Sequence, residues 1–251
     1  MPLLIFMRHG TTLWAEKGLF AGWGDAPLSP TGEDQARKAG SLLKQKRIAF
    51  DICHTSKLGR AQRTLDIVLK ELESPNIPIV SDWRLNERHY GMLQEKSRTA
   101  VAQHYGREAM VSWRRDYRAQ PPALEDDDPR WQEQRQRFAN IPETCMPRSE
   151  SLQQGVLRIE PYWHEALAPT LRSNQRVLVV AHTCSIRGMV RILDDLSDDE
   201  AEAFRIPTAL PIIYELDSSL RPIRSQRIVG DTMAWWRNFK IRYKPSSFFW
   251  R

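Results

Sequence analysis

One short segment constrains the fold more than any other. Arg176 to His182 reads Arg-Val-Leu-Val-Val-Ala-His, an unbroken apolar run between two polar residues. Such a run indicates a strand that is buried on both faces, as in the centre of a parallel sheet. A second apolar run, Pro2 to Met7, precedes Arg8 and His9. Because strand and helix patterns alternate between the two runs, we predict a three-layer α/β/α sandwich with a mostly parallel central sheet.

The remaining elements follow from apolar periodicity, helix caps and turn residues. We predict helices over 33–46, 57–72, 151–168 and 185–193, and Ser29 or Thr31 is expected to cap the first of them. We predict strands over 51–53, 77–80, 211–216 and 222–228, of which the last two are expected at the edge of the sheet. Prolines and a run of aspartates loosen the pattern between about 84 and 150. We therefore expect a single domain over 1–251, with an insertion at about 84–150 over one end of the sheet. An aromatic and basic tail at about 231–251 is expected to pack on the protein's own surface or on a second subunit.

The surplus of positive charge narrows the class of ligand. Lys and Arg number 37 against 31 Asp and Glu, which gives a formal net charge of +6 and a pI near 9.4. Neither a nucleic-acid motif nor a glycine-rich phosphate loop is present, so we expect a small anionic substrate and no nucleic acid. No apolar window has the length of a membrane helix, which predicts no membrane partner. Three cysteines without metal-ligand spacing indicate neither a disulfide framework nor a metal site, and they favour the cytoplasm.

Two histidines directly follow the two most apolar strands. Ligands of open α/β sheets bind beyond the carboxyl ends of the strands, so we expect His9 and His182 to face one pocket. A phosphoryl group carries about two negative charges, and its oxygens suit the forked donors of Arg8 and Arg60. A neutral imidazole of His9 can attack phosphorus, and a protonated His182 can stabilise the group in transfer. Glu87 is the carboxylate that we expect to take and return the proton.

These residues lie in motifs that resemble the cofactor-dependent phosphoglycerate mutases, which belong to the histidine phosphatase superfamily. Arg8-His9-Gly10 is weakly specific alone, whereas the extended series is more specific. It comprises Phe20-Ala21-Gly22-Trp23, Leu28-Ser29 with Gly32, Thr55-Ser56 through Arg60-Ala61, Leu85 to Gly91, Trp113-Arg114-Arg115, Pro121-Pro122, Glu150-Ser151-Leu152, Pro161-Tyr162-Trp163, Ala181-His182, Ile206-Pro207-Thr208 and Tyr214-Glu215. The resemblance covers nearly the whole chain up to about residue 230.

The resemblance implies an enzyme of glycolysis and gluconeogenesis that interconverts 3- and 2-phosphoglycerate through a phosphohistidine. It further implies 2,3-bisphosphoglycerate as the phosphoryl primer, no metal, and a homodimer or homotetramer. By this resemblance His9 is the nucleophile, Arg8, Arg60 and His182 complete the phosphate pocket, and Glu87 transfers the proton. The implied substrate-binding residues are Thr12, Ala21, Gly22, Tyr90, Arg98, Arg114, Arg115, Thr183 and Cys184.

Departures from the mutase pattern cluster at the same positions. Thr11, Ala15 and Ala21 replace a usual Glu, Asn and Thr, and Thr183-Cys184 stands where the mutases have Gly-Asn. Each lost contact costs about 1 to 3 kcal/mol of binding. Two alternatives therefore stay open, a phosphatase that releases the phosphoryl group to water and a non-catalytic phospholigand-binding protein. Since Cys184 is expected at a helix N-terminus, we also hypothesise a lowered thiol pKa and inhibition by mild oxidation. The alternative is an inert small side chain that fills the position of the mutases' Asn.

Overall fold

A six-stranded sheet forms the centre of the computed structural model, which describes residues 1–227. The strands are β1 Leu3–Arg8, β2 Ile52–Thr55, β3 Ile79–Ser81, β4 Arg176–Ala181, β5 Ile212–Leu216 and β6 Pro222–Arg227, in the order β3-β2-β4-β1-β5-β6. Strands β1 to β4 are parallel, whereas β5 runs antiparallel to β1 and β6 antiparallel to β5. The mostly parallel sheet is confirmed. The prediction that the last two strands of the chain are edge strands is wrong for β5, because β5 lies between β1 and β6.

Helices cover both faces of this sheet. They are α1 Leu13–Glu16, α2 Pro30–Gln45, α3 Gly59–Glu71, α4 Arg98–Tyr105, α5 Arg107–Arg115, α6 Pro129–Arg137, α7 Leu152–Tyr162, α8 Ala168–Arg172, α9 Thr183–Asp194 and α10 Asp198–Ala203. A π-helix, Trp163–Leu167, joins α7 to α8, and 3-10 turns cover Trp83–Leu85, Gly91–Leu93 and Glu143–Cys145. Ser29 caps α2, since its Oγ accepts a hydrogen bond from the amide of Gly32. The predicted tail at about 231–251 lies outside the described residues.

Alternate residues of the central strands point into opposite layers. Leu4 and Phe6 of β1 belong to a core shared with α7 and α9, whereas Ile5 and Met7 belong to a core shared with α2 and α3. All four side chains are fully buried, and each stabilises the fold by about 1.5 to 3 kcal/mol relative to exposure. Two apolar cores separated by one sheet confirm the three-layer α/β/α sandwich.

The register between β1 and β4 places the two histidines side by side. Arg8 lies opposite Ala181 in the parallel pairing, so both chains leave the sheet at the same level. The backbone amide of His9 donates to the carbonyl of Ala181 at 3.0 Å, which extends this pairing by one more residue. His9 and His182 therefore enter neighbouring positions at the carboxyl edge of the sheet.

The insertion over 84–150 is more ordered than its sequence suggests, because it contains α4, α5 and α6. Trp131 of α6 is buried in a small core with Trp23 and Leu58, which belong to the first half of the chain. The indole Nε1 of Trp23 also donates to the carbonyl of Glu87 at 2.7 Å. These contacts fasten the insertion to the loop that follows β1. Within residues 1–227, no helix is long and apolar enough to cross a membrane.

Candidate active site

His9 is held in one tautomer by its own loop. Its Nδ1 lies 2.7 Å from the carbonyl oxygen of Gly10, and because a carbonyl only accepts hydrogen bonds, Nδ1 carries the proton. Nε2 keeps its lone pair and has no hydrogen-bond partner among residues 1–227. Burial lowers the pKa of His9 well below its usual value, and Arg60 and Arg8 add to this effect. The side chain is thus a neutral imidazole with Nε2 available as a nucleophile.

His182 lies beside His9, with ring centroids 5.0 Å apart and an angle of 56° between the planes. Its Nε2 is 2.7 Å from the hydroxyl of Ser56. Its Nδ1 is buried and has no partner within the described part of the chain. Burial, Arg60, His9 and Arg8 together lower the pKa of His182 well below its usual value. The sequence allowed for a protonated His182, and desolvation together with two neighbouring guanidinium groups disfavours that form in this pocket.

Arg60 and Arg8 supply the positive charge next to the two imidazoles. Arg60 is the second residue of α3 and is buried, and its two terminal nitrogens donate to the carbonyls of Gly24 at 2.9 Å and Gly22 at 2.7 Å. Burial lowers the pKa of Arg60 to about 10, so it stays charged at neutral pH. The Nε atoms of Arg60 and Arg8 are buried without a partner in residues 1–227. A buried unpaired donor costs about 1 to 3 kcal/mol, a cost that the oxygens of a bound phosphoryl group would offset.

Glu87 presents one free carboxylate oxygen to this group. Its Oε1 accepts hydrogen bonds from the backbone amides of Arg88 at 2.9 Å and Cys184 at 3.2 Å. Its Oε2 has no hydrogen bond to any of the described residues. The negative charge of Glu87 raises the pKa values of Arg8 and Arg60 against the effect of their burial. The structure thus brings the predicted proton donor to the predicted phosphate pocket.

Arginines and a tyrosine line the outer side of the pocket. The guanidinium of Arg88 lies over the ring of Tyr90 at 4.6 Å and donates to the carbonyl of Arg114 at 2.9 Å. Its Nη1 is buried and unpartnered among residues 1–227. Burial and then repulsion from Arg98, followed by Arg115, lower the pKa of the half-buried Arg114. The predicted cationic residues therefore gather on one side of the pocket, with Arg98 and Arg115 exposed at its rim.

Three other predicted substrate-binding residues use their polar groups within the loop after β1. The hydroxyl of Thr12 caps α1 by accepting from the amide of Ala15 at 3.1 Å. The carbonyl of Ala21 accepts from the amide of Gly24 at 2.8 Å. The carbonyl of Gly22 accepts from Arg60, and Gly22 has a φ of +52°, which a side chain would strain. In this structure the three residues shape the pocket wall.

Cys184 is buried at the start of α9, next to the half-buried Thr183. Its amide holds Glu87, but its thiol packs towards Gly155, where an added Cβ would lie 2.5 Å from Sγ. Burial raises the pKa of this thiol to about 12, and Glu87 adds to the effect. The hypothesis of a lowered pKa at Cys184 is wrong, because desolvation outweighs the helix dipole. Inhibition by oxidation of this residue stays a prediction to be tested.

Three groups in the site were not predicted from the sequence: Ser56, Arg88 and Arg158. Ser56 and Arg88 stand inside motifs that were singled out, so their positions were visible while their contacts were not. The partner of Ser56 is 126 residues away in the sequence. Arg158 lies on α7 and contacts the backbone of Glu87, a relationship that no local pattern indicates. No cluster of His, Cys, Asp and Glu within residues 1–227 has the geometry of a metal site.

Comparison with known proteins agrees with this geometry. Residues 4–138 match the Histidine phosphatase superfamily (branch 1). An alpha-ribazole phosphatase from Shigella flexneri shares 22% sequence identity and a TM-score of 0.66, over 88% of this chain and 94% of that chain. A mycobacterial glucosyl-3-phosphoglycerate phosphatase shares 20% identity and a TM-score of 0.66, over 92% and 99%. A phosphoglycerate mutase from Bacillus anthracis shares 22% identity and a TM-score of 0.60, over 85% and 88%.

The chain belongs to the histidine phosphatase superfamily, branch 1, and it is an enzyme of that superfamily. The superfamily resemblance drawn from Arg8-His9-Gly10 and the later motifs is thereby confirmed. Structures with these identities share the fold with this chain, and they include phosphatases as well as a phosphoglycerate mutase.

Proposed function

We propose that this protein is a phosphatase that hydrolyses small phosphate monoesters through a phosphohistidine at His9. The observation that carries the proposal is the geometry of the pocket. A neutral His9, whose Nε2 has no partner among residues 1–227, lies 5.0 Å, ring to ring, from His182. Arg8 and Arg60 adjoin them, and their buried Nε atoms also lack a partner in this part of the chain. Such a set of groups suits nucleophilic attack on phosphorus and stabilisation of the charge that spreads over the phosphoryl oxygens.

In the first step, Nε2 of His9 attacks phosphorus, a P–N bond forms, and the P–O bond to the substrate alcohol breaks. A proton held on Oε2 of Glu87 passes to the departing oxygen, so the product leaves as a neutral alcohol. In the second step, Glu87 takes a proton from water as the water oxygen attacks phosphorus, and the P–N bond breaks. His9 returns to the neutral form and inorganic phosphate is released. Arg8 and Arg60 are donors available to the phosphoryl oxygens in both steps, and Nδ1 of His182 joins them in the tautomer whose Nε2 accepts from the Ser56 hydroxyl.

The outer side of the pocket indicates the class of substrate. Arg88, Arg98, Arg114 and Arg115 concentrate positive charge there, and the buried Nη1 of Arg88 lacks a partner among the described residues. A carboxylate or second phosphate would offset that charge and pair with the free donor. The preferred substrate is therefore a phosphate monoester that carries a second anionic group a few bonds from the phosphorus.

Three observations support water as the final acceptor. Ala15, Ala21 and Cys184 place no strong side-chain donor where the phosphoglycerate mutases have Asn, Thr and Asn, which weakens retention of a second substrate beside the phosphohistidine. Arg98 and Arg115 are also exposed, so water reaches the side of the pocket that they line. Two of the solved structures with this fold are named as phosphatases, of alpha-ribazole and of glucosyl-3-phosphoglycerate. That naming agrees with hydrolysis of an anionic metabolite ester.

Phosphoglycerate mutase activity is the second candidate, and the gathering of Tyr90, Arg98 and Arg114 next to Arg8 favours it. The nitrogens of Arg8, Arg60 and Arg88 that have no partner within residues 1–227 fit a polyanion such as 2,3-bisphosphoglycerate. Those residues would hold it, and the chemistry it would supply is a phosphoryl group for His9. A cytoplasmic location and a homodimer or homotetramer stay predictions.

The partition of the phosphoryl group separates the two candidates. Purified protein is incubated with 3-phosphoglycerate, with and without catalytic 2,3-bisphosphoglycerate, and both 2-phosphoglycerate and inorganic phosphate are quantified. The proposal predicts that phosphate release exceeds isomerisation and that His9→Ala abolishes both. Isomerisation that outruns phosphate release and depends on the primer would replace the phosphatase by the mutase. Absence of both products with every phosphate ester tested, including p-nitrophenyl phosphate, would contradict an enzymatic role.

A further inference from the structure

A buried ion pair lies directly behind Glu87. Arg158 on α7 donates from Nε to Oε1 of Glu150 at 2.7 Å and from Nη2 to Oε2 at 2.9 Å. Their side chains are only 7% and 6% exposed. Buried ion pairs are expensive to desolvate and are often no more stabilising than an apolar pair. Their presence therefore calls for a contribution other than overall stability.

Arg158 contacts the backbone that leads to Glu87. Its Nη1 donates to the carbonyl of Arg84 at 2.8 Å, and to those of Trp83 and Asn86 at 3.3 Å each. Its Nη2 donates to the carbonyl of Glu87 at 3.2 Å. A single guanidinium thus gathers four carbonyl groups within five consecutive residues, an arrangement that only a forked, multiply donating cation can make.

Glu150 contacts the same segment on the other side of Glu87. Its Oε2 accepts a hydrogen bond from the amide of His89 at 2.8 Å. Its own amide donates to the carbonyl of His89, also at 2.8 Å. The ion pair consequently holds the main chain before and after Glu87. The Glu87 side chain, with Oε1 bound to two amides, has little freedom left relative to the pocket.

We propose that Arg158 and Glu150 are positioning residues, which hold Glu87 where its Oε2 can donate a proton to the leaving oxygen. The inference rests on the function proposed above. A general acid must lie within hydrogen-bond reach of the atom that it protonates. A displacement of about 1 Å costs on the order of 10²-fold in rate. Loosening the 83–89 backbone should therefore impair protonation of the leaving group, while attack by His9 continues.

The dependence of the rate on the leaving group tests this assignment. We compare kcat/KM for p-nitrophenyl phosphate, whose leaving group departs without a proton, and for glycerol 3-phosphate, whose alkoxide needs one. The value of kcat/KM reports only the steps up to departure of the alcohol. The test variant is Arg158→Lys, which keeps the charge and loses the fork, and Glu150→Gln is a second route should Arg158→Lys not fold. Arg176→Lys is the matched control, because Arg176 forms a similar fork with Asp51 at the opposite end of β4. Glu87→Gln serves as the reference for loss of the acid.

We expect Arg158→Lys and Glu150→Gln to lose about 10- to 100-fold in kcat/KM for glycerol 3-phosphate and less than about threefold for p-nitrophenyl phosphate. Glu87→Gln should show the same discrimination, and Arg176→Lys should show none. Equal losses for both esters in the Arg158 and Glu150 variants, with discrimination kept in Glu87→Gln, would overturn the positioning role alone. Parent-like activity of those variants on both esters would also overturn it. If Glu87→Gln itself does not discriminate, the proposed role of Glu87 fails, and the positioning role fails with it.

Discussion

The backbone amide of Cys184 donates a hydrogen bond of 3.2 Å to Oε1 of Glu87. This contact joins the first turn of α9, which begins directly after His182, to the insertion that carries the candidate proton donor. The amides at a helix N-terminus carry partial positive charge and favour a carboxylate. A residue of the sheet edge and a residue of the insertion are thus held in one site, although 97 positions separate them.

Thiol reactivity tests the buried state of Cys184. Cys53 and Cys184 are buried, Cys145 is exposed, and burial raises the pKa of each buried thiol to about 12. We expect a thiol-specific reagent to label one cysteine in the folded protein and three after unfolding. Mild peroxide should inhibit the parent and Cys184→Ser equally, if at all. Selective protection by Cys184→Ser would show a reactive Cys184 and contradict the buried thiol.

Ser56→Ala tests the contact that orients His182. The substitution removes the hydroxyl that lies 2.7 Å from Nε2, so the ring loses its one side-chain hydrogen bond among residues 1–227. Loss of such a bond should raise the activation free energy by about 1 kcal/mol or slightly more, which corresponds to roughly a tenfold decrease in kcat/KM. Ser41→Ala, which removes a partly buried hydroxyl that donates to Glu71 away from the site, is the control. Equal activity of both variants would show that Ser56 does not orient His182.

Two buried histidines away from the phosphate pocket predict a loss of stability in acid. Burial lowers the pKa values of His54 and His89 to about 4 from 6.5. The unfolded chain binds protons at these residues between about pH 6.5 and 4 while the folded chain does not, so stability falls as the pH falls through that window. Across that window each histidine lowers the free energy of unfolding by about 3 kcal/mol.

Urea unfolding at a series of pH values measures this effect. His54→Asn should reduce the dependence of the free energy of unfolding on pH by about one proton between pH 6.5 and 4. His104→Asn, at an exposed histidine of α4, is the matched control. An unchanged dependence in His54→Asn would show that His54 is protonated in the folded protein.

Gly91 cannot readily be replaced by a larger residue, because its φ angle is positive and a backbone carbonyl lies close to its Cα. It has a φ of +53°, and an added Cβ would lie 2.0 Å from the carbonyl oxygen of Pro122. Gly18 has a φ of +70° with open space around it, so Gly18→Ala isolates the cost of the backbone angle, about 1 to 2 kcal/mol. We expect Gly91→Ala to lower the free energy of unfolding by about 3 to 5 kcal/mol, because backbone must also move. Equal effects in the two variants would show that the Pro122 contact is relieved without cost.

The sequence predicted the centre of the fold better than its periphery, for physical reasons. Arg176–Ala181 was predicted with the bounds that the structure shows, because a strand buried on both faces must be continuously apolar. Helix α5, Arg107–Arg115, was not predicted, because none of its residues is fully buried and Met110 and Trp113 are only partly buried against a small core. Bounds elsewhere shifted by one to a few residues, as for α3 and β3.

Some features of the candidate site were likewise predictable from the sequence, and others were not. The histidines and Glu87 were predictable from local sequence. His9 and His182 directly follow apolar strands, and Glu87 lies within one short motif, Leu85 to Gly91. The lowered pKa of His182 and the raised pKa of the Cys184 thiol were not, since each depends on how completely the finished fold excludes water. Arg158 was missed because its role exists only after α7 packs against the 83–87 segment.

The central claim is that His9 carries the phosphoryl group during turnover. Protein mixed with p-nitrophenyl phosphate or with 2,3-bisphosphoglycerate is quenched rapidly in alkali and measured by intact-protein mass spectrometry. We predict an increase in mass by one phosphoryl group in the parent and in the control His54→Asn, lost on exposure to acid because a protonated phosphoramidate is cleaved. The adduct should be absent from His9→Ala. An adduct that persists in His9→Ala, or turnover by the parent with no acid-labile adduct at any quench time, would contradict the account.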